Sequence, residues 1–215
     1  MRIFPIFLAL LSSVPTFAFA QDDAAECTTL VVIQSQGCNV RRVFVCDDMQ
    51  ADWRNVGIYG PDGPTSVFTL NANGVSLRIT SGPGAPKISL GDQADPLDLQ
   101  AVLRNGADSF NYQMINAAAG EANISGKTSL TSETITIDGR VLQVLQSRQT
   151  TVTPEGQSHV TDIRYLYDAD LQLLITDTIS DATTGEIQLL RTPVDFIWPG
   201  EAGFEDYTPL YSCEG

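Results

Sequence analysis

Histidine is almost missing from this chain: His159 is the only one in 215 residues. That scarcity disfavours a catalytic zinc centre, which draws about three protein ligands mainly from histidine. A Ser-His-Asp hydrolase would have to use His159 as its base, yet no Gly-x-Ser-x-Gly elbow supplies a nucleophile. His159 opens a β-branched stretch, Gln157-Ser158-His159-Val160, and reads as an edge or surface residue. No C-x-x-C pair is present, which argues against a redox or metal thiol site. Basic residues are also few, 12 Lys and Arg against 26 Asp and Glu, for a formal charge of −14. Nucleic acid and anionic membrane surfaces would be repelled, whereas a cationic partner would be tolerated. No apolar run approaches the roughly 20 residues of a membrane span after the N-terminus.

The N-terminus itself is distinctive. Arg2 precedes an apolar stretch, Ile3 to Phe17, broken by Pro5 and Pro15, and Ala18-Phe19-Ala20 ends it in a small-x-small pattern. Positive start, apolar middle and small-residue end predict a signal peptide over residues 1–20. No cysteine lies at the cleavage point, so a lipoprotein is not expected. The expected product is a soluble periplasmic or secreted protein, residues 21–215.

Cysteine usage agrees with export. Cys27, Cys38, Cys46 and Cys213 form an even set, which in an oxidising compartment predicts two disulfides. If Thr28–Gln34 and Asn39–Val45 form a hairpin around Ser35–Cys38, Gln34 opposes Asn39 and Cys27 opposes Cys46. Opposed antiparallel residues lie within disulfide reach, which leaves Cys38 for Cys213. The alternative, Cys38–Cys46 with Cys27–Cys213, stays open on sequence grounds.

Turn chemistry organises the rest. Asn71-Ala72-Asn73-Gly74 predicts a hairpin between Ser66–Leu70 and Val75–Thr80, because Asn-Gly tolerates positive φ. Gly57–Pro64 reads as turn-rich, Gly120–Gly126 and Ser81–Pro86 as loops, and Lys87–Leu90 as a short strand. Asp95, Pro96 and a closing Asn105-Gly106 predict one short helix with Asp95 as its N-cap. Phe110–Ile115 leans towards a strand. From Lys127 the pattern is a β-meander: Ser129–Ile137 and Arg140–Val152 flank Asp138-Gly139, with Ile135 opposite Leu142. His159–Tyr167, Leu171–Ile179 and Ile187–Ile197 continue it, the last interrupted by Pro193, which suggests an edge or a bulge. One domain is expected: loop-rich over 21–126, a meander over 127–198 and an extended tail over 199–215.

The predicted fold is therefore mainly β, an antiparallel meander forming a curved sheet or half-open barrel with one short helix. Such an architecture is similar, at the level of fold alone, to envelope carrier domains that hold lipid or lipoprotein on a curved sheet. No motif carries that likeness residue by residue.

Candidate chemistry is sparse. Gly120…Gly126-Lys127-Thr128 superficially resembles a phosphate-binding loop, but five residues separate the glycines where four are required. Asp47, Asp48 and Asp52 cluster, and Asp168 and Asp170 share a turn, but neither set continues into an EF-hand loop. In so acidic a chain they read as solvated turn residues. Aromatic residues concentrate near the C-terminus. Tyr165, Tyr167, Phe196 and Trp198 are the candidate ligand-binding residues, set against the ordinary use of aromatics as core. No catalytic residue, metal ligand or cofactor is assigned. The reading is an exported, non-catalytic binding or accessory module for an apolar small molecule or an envelope protein partner. The alternatives are a hydrolase acting on envelope glycan through two carboxylates and a purely structural envelope protein.

Overall fold

A computed structural model describes residues 26–81, 87–91, 95–116 and 118–213. The predicted signal segment, most of the acidic start and most of the Ser81–Pro86 loop lie outside these residues. The described residues form thirteen strands and one helix. The strands are β1 (Cys27–Ser35), β2 (Asn39–Cys46), β3 (Arg54–Gly60), β4 (Gly63–Leu70), β5 (Ser76–Thr80) and β6 (Ile88–Leu90). After helix α1 (Leu99–Asn105) come β7 (Ala107–Asn116), β8 (Gly120–Ile137), β9 (Arg140–Val152), β10 (Ser158–Asp168), β11 (Leu173–Asp181), β12 (Ile187–Leu190) and β13 (Pro193–Ile197).

All thirteen strands belong to one antiparallel sheet, in which β1 to β12 pair in chain order and β13 returns to pair with β1. The mainly-β fold expected from turn spacing and period-two patterning is the fold observed. The sheet is not closed, since β12 pairs only with β11 and β13 only with β1. Its two edges nevertheless meet, because only Arg191 and Thr192 separate β12 from β13. The Gln36 amide donates to the Thr192 carbonyl at 2.8 Å. Gly37, at φ 73°, lies so close to the Leu190 carbonyl that any Cβ would overlap it. Pro193, which lacks an N–H, opens an edge strand, where proline is tolerated.

The first hairpin reaches the expected cysteine pairing by a different register. Ser35 rather than Gln34 opposes Asn39, and a bulge between Thr29 and Val31 restores Cys27 opposite Cys46. One residue gained at the turn is absorbed by Leu30, as a bulge allows. Both disulfides, Cys27–Cys46 and Cys38–Cys213, are present.

Three local expectations are corrected. Asp98, not Asp95, caps α1, its carboxylate accepting from the Ala101 amide at 3.0 Å, while Asp95 bridges to Asn111. Pro96 therefore precedes the helix instead of starting it. The turn-rich stretch Gly57 to Pro64 narrows to a turn at Pro61 and Asp62, for Gly57 sits inside β3 and Gly63 opens β4. Gly120–Gly126 is likewise strand, the start of β8. Gly126 opposes Phe110, whose Cζ would be 2.7 Å from an added Cβ. The glycine clears space for that ring and for the Arg148 carbonyl, which would lie 2.3 Å from an added Cβ. The 21–126 half is accordingly strand-built through β1–β7. By contrast, Asp138 and Gly139 turn at φ 49° and 74° with Ile135 opposite Leu142, as their sequence requires.

Burial on both faces of β9–β11 sets the core. Val144, Leu166, Leu173 and Ile175 cluster with Val31, Ile33, Val43, Val56, Ile58 and Phe196. Their chain neighbours Leu145, Tyr167 and Leu174 join a second cluster with Leu99 and Val102 of α1, Phe110 and Val75. Adjacent strand residues point to opposite faces, so this part of the sheet is covered on each side. A third cluster, Val32, Val40 and Ile197, lies beneath Tyr59, Phe204 and Tyr207 of the tail.

Candidate functional site

The β4–β5 turn begins the site. The Asn71 side-chain oxygen accepts from the amides of Asn73 and Val75, both at 3.0 Å, closing the turn locally. Gly74, at φ 72°, then presses on Leu174 of β11, where an added Cβ would lie 2.8 Å from the leucine Cβ. This contact brings two distant parts of the sheet together and leaves space on either side.

Two adjoining cavities occupy that space and share Gly74, Ser76, Tyr165 and Leu174. The larger, about 320 Å³, lies between β5–β9 and the segment before α1. Ile79, Ile88, Leu97, Phe110, Met114 and Ile124 make its wall apolar. Its polar residues are few, and two of them satisfy each other, Thr128 Oγ1 donating to Ser147 Oγ at 2.9 Å. The smaller, about 150 Å³, is bounded by Val56, Ile58, Phe68, Leu70 and β11 residues, with Arg41 and Arg191 in its wall. Among the described residues no carboxylate lines either one. Burial pushes the hydroxyl pKa of Tyr165 and of Tyr112 above the ordinary tyrosine value, so both phenols stay neutral donors at physiological pH.

Of the four candidate aromatics, only Tyr165 faces these cavities. Tyr167 is packed in the cluster under α1. Phe196 is fully buried in the opposite cluster, with Trp198 against it. Arg140 stacks over both of those rings, 5.7 Å and 4.9 Å from their centres. The structure thus separates the four residues instead of grouping them. Sequence reasoning passed over Arg41. The available signal was alternation, because Val43 points inward and Arg41, two residues earlier, must share its face.

The acidic candidates are structural or solvated. Asp168 accepts from Arg140 Nε and Nη2 at 2.6 and 2.7 Å, and Asp170 adds a third contact at 3.1 Å. Among the described residues no group of three or more His, Cys, Asp or Glu is placed to hold a metal. His159 is exposed on β10. One carboxyl pair does interact: burial, then the neighbouring Asp138, raise the Asp195 pKa above the usual aspartate value. A carboxyl whose folded pKa is raised opposes folding once ionised, and this penalty vanishes where both states are protonated. Asp195→Asn is therefore expected to raise the melting temperature at pH 7, with the gain shrinking as pH falls towards 3.8. Melting curves across that range check it, and a gain that grows on acidification would refute it.

Comparison with protein-family models, with curated proteins and with solved structures returns no match. No helix among the described residues is long and apolar enough to cross a membrane.

Proposed function

We propose that this chain is an exported, non-catalytic binding module that holds an apolar ligand within its sheet. The observation that carries the reading is the larger cavity, whose wall is built of aliphatic and aromatic side chains. Its volume is at the lower end of ligand-sized pockets, roughly 300–1,000 Å³, and its makeup, mostly apolar with a few polar groups, is theirs. Burying an apolar ligand there would return about 25 cal/mol for each Å² removed from water. Two disulfides and the signal-like N-terminus support an oxidising, extracytoplasmic setting. Among the described residues no carboxylate lines either cavity, which gives the glycan-hydrolase alternative no support there.

A neutral, polarity-sensitive naphthylamine dye tests this. Native protein is expected to give saturable fluorescence enhancement at one dye per chain. Ile79→Trp, which fills the cavity from β5, is expected to weaken binding by about tenfold, or 1.4 kcal/mol. No saturable enhancement by native protein defeats the reading. So does an Ile79→Trp variant that melts normally and binds the dye as before.

A further inference from the structure

Arg41 occupies an inward position of β2. It stands opposite Ile33 of β1 and Ile58 of β3, both core residues, and is itself 4 % exposed. Its guanidinium donates to Ser35 Oγ at 2.8 Å, to the Arg191 carbonyl at 3.0 Å and to the Thr176 carbonyl. These are neutral acceptors. Among the described residues no carboxylate forms an ion pair with Arg41 or with Arg191. Asp177 is the nearby negative charge, and its Oδ2 is taken by Arg164. Burial, and then the Arg191 charge, hold Arg41 down to about 9, while burial alone lowers Arg191. Both remain cationic at neutral pH.

A buried cation and a half-buried one in the wall of the same small cavity are costly unless an anion joins them. The cost is conspicuous in a chain of net charge −14, where carboxylates are plentiful yet none among the described residues lines this space. Val56, Ile58, Phe68, Leu70 and Ile175 make much of the remaining wall apolar, with Ser76, Tyr165 and Thr176 its other polar residues. The space adjoins the larger apolar cavity across Tyr165 and Leu174. We infer that Arg41 and Arg191 form an anion-recognition site, so that the ligand is an amphiphile whose carboxylate or phosphate head meets these arginines while its chain follows the apolar walls. This deepens the binding-module reading and rests on it. Paired guanidinium groups suit a planar or tetrahedral oxyanion through charge-assisted hydrogen bonds.

The test is displacement of the naphthylamine dye by dodecanoate and by dodecanol, which share a chain and differ in the head. Native protein is expected to yield its dye to the acid at about tenfold lower concentration than to the alcohol. In Arg191→Gln that ratio is expected to fall towards one, and Arg191→Lys is expected to retain it. Arg41→Gln should also lose the preference, but Arg41 supports the fold, so Arg191 carries the decision. A parallel arm measures the melting temperature with inorganic phosphate alone. Equal displacement by acid and alcohol from native protein overturns the anion site and leaves apolar binding standing. A stabilisation by phosphate as large as that by dodecanoate, lost in Arg191→Gln, assigns the arginines to a free anion and overturns the amphiphile. If native protein binds neither dye nor dodecanoate, both readings fall.

Discussion

Replacing Cys38 and Cys213 together by serine is expected to lower stability by roughly 5 kcal/mol, the largest loss we anticipate from any pairwise change. The bond joins residues 175 apart in sequence, and the loop-closure entropy it removes from the unfolded chain grows with that length. What it holds in place is the C-terminal tail. The Gln34 side chain, buried on β1, donates to the Thr208 carbonyl at 3.0 Å and accepts from the Leu210 amide at 3.1 Å. The Cys38 amide donates to the Tyr211 carbonyl at 2.9 Å. Tyr207 packs on Tyr59 at 4.7 Å and lies under Arg42. Without the crosslink the tail can peel away, exposing Val32, Val40 and Ile197. For a chain of this size the loss corresponds to a fall of about 10–20 °C in melting temperature, at 2–4 °C per kcal/mol. The corresponding change at Cys27 and Cys46, 19 residues apart, should cost roughly 3 kcal/mol. Thermal melts of the two double variants check the order. An equal or reversed ranking would show that the tail is not what the long-range bond secures.

Asp168→Ala is the second large effect, an expected loss of about 3–5 kcal/mol, because it leaves a partly buried arginine with only the exposed Asp170 as counter-charge. Asp168 is buried at the end of β10 and accepts four hydrogen bonds. Two come from Arg140, and two come from the amides of Asp170 and Leu171, each at 3.0 Å, which shape the turn into β11. The hydrogen bond to Asp168 above all, together with the charges of Asp168 and Asp170, raises the Arg140 pKa, so the pair is attractive. Asp170→Ala serves as the control. Its carboxylate is 88 % exposed, and an exposed partner contributes no more than about 1 kcal/mol. Urea unfolding of both variants decides the matter, and similar midpoints would remove Asp168 from the list of residues that stabilise the fold.

Legibility followed the range of the interaction. The Asp138-Gly139 hairpin and the pairing of Ile135 with Leu142 were readable because positive φ and cross-strand apolar matching are local. The Cys27–Cys46 pair was readable too, although Leu30 had to bulge to deliver it. Asp98 displaced Asp95 as helix cap because Asn111 of β7 captured Asp95. That competition lies outside the helix segment. Gly57 and Gly126 looked like loop residues because glycine is a turn former. Each instead makes room in a strand for a neighbouring ring, Tyr59 or Phe110, which no spacing reveals. Among the candidate aromatics, sequence could not sort Tyr165 from Tyr167 because both lie on one strand two residues apart. The difference comes from what covers them, cavities at Tyr165 and α1 near Tyr167.

Taken alone, the order of residues determined most strand-forming segments, the tight turns of the meander and the acidic composition, since these depend on backbone preference and near neighbours. Tertiary structure decided the rest: that the sheet curls until β12 and β13 almost touch, that the tail seals the outer face of β1, and that Arg41 meets Arg191 across 150 positions of chain. Such meetings depend on how twist accumulates over thirteen paired strands, and no short window of sequence contains that sum.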